Sequence, residues 1–119
     1  MALTTYQFAF ARNVARLIEH IFLSGYTCTF GEALRTQEMA DLYAAQGKGI
    51  KNSLHLKKLA IDLNLFFDGK YLSDTEAYRP FGEWWERLHP DNRWGGDWDK
   101  DNVADPGEND GNHFEMRET

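Results

Sequence analysis

Residues Leu59 to Phe67 read LAIDLNLFF, and no other stretch restricts the fold as strongly. Leu59, Ile61, Leu63 and Leu65 alternate with Ala60, Asp62 and Asn64. Side chains along a strand point alternately to opposite faces, so one face here is apolar and the other small and polar. Asp68-Gly69 is a tight-turn pair, and Lys70-Tyr71-Leu72 can return as a hairpin arm. A carboxylate in the middle of an otherwise apolar strand is the first sign of chemistry, because an unpaired buried charge is costly.

The flanking segments supply helices. Thr4 or Thr5 can cap a first helix running to about Ser24, with Phe8, Ala11, Ala15, Ile18 and Phe22 as its apolar stripe and Gly25 as its stop. Tyr26 to Leu34 reads as a strand or short extended stretch. Thr36 can cap a second helix, QEMADLYAAQ, ending at Gly47. Asp74 can cap a third through about His89, stopped by Pro90, with Phe81, Trp84, Trp85 and Leu88 on its buried side. Asp99 to Asn112 is acidic and turn-rich and reads as an exposed loop, and His113 to Met116 as a short last strand. The expected fold class is α+β, with N-terminal helices packed on a small, mainly antiparallel sheet.

A length of 119 residues suits one domain, residues 1–119. The formal charge of −6 argues against a general nucleic-acid binder. Cys28 is the only cysteine, which excludes an internal disulfide and a thiolate metal cluster, so any metal must be held by His, Asp and Glu. The first twenty residues lack the pattern of a secretory signal, and charges interrupt every apolar stretch short of membrane-spanning length. The expectation is synthesis in the cytoplasm without stable membrane insertion.

His55 and Asp62 lie seven positions apart. On a helix that is about 10.5 Å along the axis, too far for two short side chains to share an ion. On an unbroken strand an odd separation puts them on opposite faces. They meet only if the chain bends, and Lys57-Lys58 can mark the bend. If the last strand neighbours Leu59–Phe67, His113 joins them. Two imidazoles and a carboxylate leave a fourth tetrahedral position open, the usual arrangement of catalytic zinc, which lowers the pKa of water toward neutrality. Asp110, three positions before His113, can reach such a site as a proton acceptor, with Glu108 and Asp105 as alternatives. Taken singly, each residue also has an ordinary reading: strand-end histidines, a carboxylate satisfied by backbone N–H groups, a solvated acidic loop.

SLHLKKLAID, from Ser53 to Asp62, resembles the Ser-x-His-x(6)-Asp motif of the zinc D,D- and L,D-peptidases that cut peptidoglycan stem peptides. That family includes vancomycin-resistance carboxypeptidases and dipeptidases and many bacteriophage endolysins. WGGDW at Trp94 to Trp98 and DGNHFE at Asp110 to Glu115 resemble its later blocks, so the resemblance spans roughly Ala33 to Met116. It implies one zinc ion held by His55, Asp62 and His113, with Asp110 as catalytic base. Many dipeptidases of the family carry Glu at that position, whereas phage L-alanyl-D-glutamate endopeptidases resemble this chain in using Asp. Arg35 would hold a substrate carboxylate or polarise the carbonyl, and Ser53 would hydrogen-bond to substrate or to the ligand loop. Trp94 and Trp98 could line the cleft or pack in the core, and Glu115 could orient an imidazole. Lys58 stands where the motif usually has glycine.

The function so implied is a phage-type endolysin that cuts the L-Ala–D-Glu bond of the stem peptide. It would act as a monomer on the cell wall after a holin-like factor has permeabilised the membrane. The alternatives are a D-Ala–D-Ala carboxypeptidase or dipeptidase, and a non-catalytic zinc-binding domain of structural or wall-binding use.

Overall fold

The computed structural model describes residues 2–33, 36–47, 54–101 and 107–118. Helix α1 (Leu3–Leu23) leads into strand β1 (Thr27–Phe30), and helix α2 (Gln37–Ala45) follows. A 3₁₀ turn (Leu54–Lys57) then precedes strand β2 (Ala60–Phe67), which turns into β3 (Lys70–Tyr71). Helix α3 (Thr75–Leu88), β4 (Asn92–Trp94) and β5 (His113–Met116) complete the order. The strands form one antiparallel sheet in the order β1-β2-β5-β4, with β3 also paired to β2. This is the α+β architecture expected. None of the described helices is long and apolar enough to cross a membrane.

Strand β2 organises the sheet. Its Leu63 and Leu65 are fully buried and Ile61 nearly so, while Asp62 and Asn64 on the other face are only half-buried. Asp68 and Gly69 both take positive φ, 52° and 76°, which makes the tight turn into β3. Helix α3 covers the apolar face. Trp85 at its centre is fully buried, meets Phe10 of α1 and Phe114 of β5 edge-to-face, and donates its indole N–H to the carbonyls of Arg93 and Glu115. The Tyr78 hydroxyl ties the hairpin to the same helix, accepting from Leu65 N and donating to the Leu72 carbonyl. The caps of the second and third helices are as expected: Thr36 Oγ1 accepts from Met39 N, and the Asp74 carboxylate accepts from Glu76 N.

Two expectations are corrected. Helix α1 begins without a threonine cap; Ala2 occupies the cap position and makes no side-chain hydrogen bond there. Its buried stripe is Tyr6, Phe10, Asn13, Leu17 and Ile21, while Phe8 and Phe22 are 71% and 51% exposed. Both stripes have spacings of three and four; the buried one brings Phe10 against Trp85, which the other face cannot do. Asn92–Trp94 is a further strand, which the sequence pattern did not name. Three residues are too few to show alternation, and only pairing with β5 makes them a strand.

Candidate metal centre

The site forms on the open face of the sheet, opposite the core. Strand register sets Asp62 directly across from His113. Phe114 and Met116 of the same strand point into the core, so His113 and Glu115 face the cleft side. His55 arrives from the 3₁₀ turn. The chain reverses at Lys58, whose φ is +58°, and the turn is closed by the Leu59 N–H donating to the Leu54 carbonyl. The bend that the seven-residue spacing demands is therefore made in the left-handed region by a lysine, where glycine meets no steric penalty.

The three side chains converge. Asp62 Oδ1 lies 3.1 Å from His113 Nδ1 and 3.5 Å from His55 Nε2. One ligand atom from each residue falls within 4.8 Å of the others. Both rings are held by their remaining nitrogen. His55 Nδ1 is 3.2 Å from the Ala33 carbonyl, and His113 Nε2 is 2.8 Å from Glu115 Oε1. Glu115 in turn accepts from Arg117 Nε at 2.9 Å. An N–H donated outward on each ring leaves the inward nitrogen free to coordinate, as in zinc centres whose histidines are oriented by carbonyls and carboxylates. Two imidazole nitrogens and one carboxylate oxygen, with an open side, are a donor set that fits zinc.

Without an ion the site is an ion pair. Burial alone would push the Asp62 carboxyl up, but hydrogen bonds from His113 and His55 overcome it and bring its pKa to about 2. Burial likewise works against a charged His113; the facing Asp62 and Glu115 reverse this and raise its pKa to about 9. Glu115 is held below its ordinary range by His113 and Arg117 against the opposing effect of burial.

Asp110 stands beside these three. Its Oδ2 is 3.9 Å from His113 Nδ1, and its side chain is 54% exposed. Its main chain is locked to the turn after β4. Asp110 N donates to the Gly95 carbonyl, and Gly95 N donates to the His113 carbonyl. A Cβ on Gly95 would lie 2.0 Å from the Asp110 carbonyl oxygen, so only glycine permits this approach. Burial of the carboxyl raises its pKa, with the neighbouring Asp62 charge acting in the same direction against the pull of His113. Glu108 is engaged elsewhere, in an acidic group with Asp97, Asp99 and Asp101 whose oxygens lie within 4.8 Å of one another. These four occupy the first, third, fifth and twelfth positions of a stretch, as in calcium-binding loops, with Asn102 where such loops carry glycine.

Trp98 packs against the site, with its ring 5.4 Å from that of His113 and 5.8 Å from the Arg117 guanidinium. Trp94 does not line the cleft: it is fully buried, and its indole N–H donates to the Gly111 carbonyl at 2.6 Å. Its large apolar ring belongs to the core beneath the Asp110 loop. Arg35, Ser53 and Asp105 lie outside the described residues. Sequence reasoning missed Ala33 and Arg117, which act through a main-chain carbonyl and through a second carboxylate, features that leave no mark in residue type.

No family model and no curated protein sequence matches the chain. Solved structures do, among them the following two. The Serratia marcescens L-Ala D-Glu endopeptidase ChiX superposes with a TM-score of 0.66 at 20% identity, over 89% of this chain and 79% of its own. A variant of the vancomycin resistance D,D-pentapeptidase VanY from a VanB-type cassette, in complex with Zn(II), gives 0.58 at 19% identity, over 91% and 70%. The chain has the fold of these peptidases.

Proposed function

We propose that this protein is a zinc-dependent hydrolase of peptidoglycan stem peptides, cutting the L-Ala–D-Glu bond as an endopeptidase. The observation that carries the reading is the convergence of His55 Nε2, Asp62 Oδ1 and His113 Nδ1, with the Asp110 carboxylate beside them. When bound, zinc supplies a Lewis acid for the scissile carbonyl and lowers the pKa of water toward neutrality. The protein's residues do the rest. Ala33 and Glu115 accept the outward N–H of each ring, so that in the neutral imidazoles the inward nitrogens are the ones left to coordinate. Asp110, exposed on one side and poised by burial, accepts a proton from the attacking water and delivers it to the leaving amine as the C–N bond breaks. Arg35 is assigned, from the resemblance alone, to the substrate carboxylate or the developing oxyanion.

Support for the L-Ala–D-Glu bond comes from Asp, rather than Glu, at position 110 and from the likeness to ChiX. The likeness to the VanY D,D-pentapeptidase favours a second reading, a D,D-carboxypeptidase. As a phage endolysin the enzyme would act on the wall from the cytoplasmic side, with a holin-like partner opening the way.

Mass spectrometry of sacculi and defined stem peptides after digestion tests this. The expected products carry a free D-Glu amine and a free L-Ala carboxyl, vanish with a zinc chelator and return with added zinc. Release of terminal D-Ala instead would move the protein to the carboxypeptidase reading. Asp110→Ala is expected to lower kcat at least 100-fold while zinc still binds one to one. Full turnover by that variant would remove Asp110 from the chemistry.

A further inference from the structure

The Asp110 carboxylate is carried on a loop, yet a proton acceptor must be held to within a fraction of an ångström. One tie is the Gly95 backbone. A second comes from a residue with no part in the ligand set. Thr75 Oγ1 donates to the Asn109 carbonyl at 2.8 Å and accepts from the Gly111 N–H at 3.2 Å. A single hydroxyl thus grips the peptide units on both sides of Asp110, from 34 and 36 residues away in sequence. The fit is close: a Cβ on Gly111 would lie 2.7 Å from Thr75 Cα. Thr75 is also well supported. It is the first residue of α3, capped by Asp74, and the same helix is anchored in the core through Phe81 and Trp85. The grip therefore transfers the rigidity of the core helix to the loop. It also forms one wall of a polar notch of about 110 Å³ beside Asp110, shared with Tyr71, Ser73, Asn109 and Asn112.

We propose that Thr75 is a positioning residue for Asp110, clamping the backbone on either side of the carboxylate through one bifunctional hydroxyl. The proposal rests on the reading of Asp110 as the proton acceptor. Valine at position 75 fills the same volume but neither donates nor accepts, so Thr75→Val removes both hydrogen bonds of the clamp while keeping its shape.

The experiment compares Thr75→Val, Thr75→Ser, Asp110→Asn and the Thr75→Val/Asp110→Asn pair on a defined stem peptide, with amide hydrogen exchange at Gly111. Thr75→Val is expected to lower kcat about 10- to 100-fold, with KM and zinc affinity within about twofold. Gly111 exchange should rise at least tenfold while the central amides of α3 keep their protection. Thr75→Ser should restore kcat and protection to within about threefold. The double variant should be no slower than Asp110→Asn, because a clamp cannot matter once its carboxylate is gone. Wild-type kcat in Thr75→Val despite lost Gly111 protection, an equally slow Thr75→Ser, or additive losses in the double variant would each overturn the proposal. Full activity in Asp110→Asn would instead overturn the functional reading on which it stands.

Discussion

Asp62 and His113 face each other across adjacent antiparallel strands, and their side chains meet at 3.1 Å on the open face of the sheet. In the metal-free protein this pair carries opposite charges, with pKa values of about 2 and about 9. Its pH dependence has a definite sign. The depressed Asp62 contributes stability that is present above its unfolded value and lost as pH falls from about 4 toward 2. The raised His113 contributes stability that is full below pH 6.5 and lost as pH rises through about 9. Urea unfolding of chelator-treated protein should therefore be most resistant between about pH 4 and 6.5. The pair's contribution, on the order of 2 kcal/mol, should decline on either side. Asp62→Asn should flatten much of the alkaline limb.

The same protonation state makes zinc uptake visible as proton release. At pH 7.5 the His113 imidazolium must give up its proton before Nδ1 can coordinate. Calorimetric titration in buffers of differing ionisation enthalpy should report close to one proton released per zinc. A value near zero would mean that His113 is already neutral or does not take part.

Glu115 and Arg117 predict a graded loss of affinity. Glu115 receives the outward N–H of His113 at 2.8 Å and is itself held by Arg117. Glu115→Gln keeps the shape but weakens the acceptor and permits the wrong ring orientation. Zinc affinity is expected to fall about 10- to 100-fold. Arg117→Gln, one contact further out and half-exposed, should fall by less. Competition with a chromophoric chelator measures both.

Lys58 holds a left-handed conformation, with φ of +58°, at the bend that delivers His55. Replacing it with glycine relieves backbone strain but adds freedom to the unfolded chain. The balance favours Lys58→Gly by up to about 1 kcal/mol, or about 4 °C in melting temperature. Lys58→Val should lose stability, because β-branched residues tolerate this region least. Thermal unfolding of the metal-free protein separates the two. A lower melting temperature for the glycine variant would mean that the lysine side chain contributes more than its strain costs.

Features written within a few neighbouring residues were legible before the structure. The alternation of Leu59 to Phe67 names a strand because its period is two. Asp68-Gly69 names a turn because few residue pairs accept two positive φ values. Thr36 and Asp74 name helix starts because their oxygens reach backbone N–H groups two or three positions on. The candidate ligands were named through the resemblance of SLHLKKLAID to a Ser-x-His-x(6)-Asp motif; the seven-residue gap by itself said only that His55 and Asp62 meet if the chain bends between them.

What the sequence by itself determined, then, is the short-range structure and the identity of the chemical groups. What only the tertiary structure decided is which faces and atoms meet. Two stripes of α1 satisfy the same helical spacing, and packing against Trp85 selected the one with Phe10. The three residues of β4 became a strand only through β5, and that pairing buried Trp94. Asp62 and His113 are 51 positions apart, so their contact depends on strand register. The Thr75 hydroxyl reaches across 34 residues to the main-chain carbonyl of Asn109, a group that every residue type possesses. Such contacts are chosen by the closure and packing of the whole chain, and no local pattern encodes them.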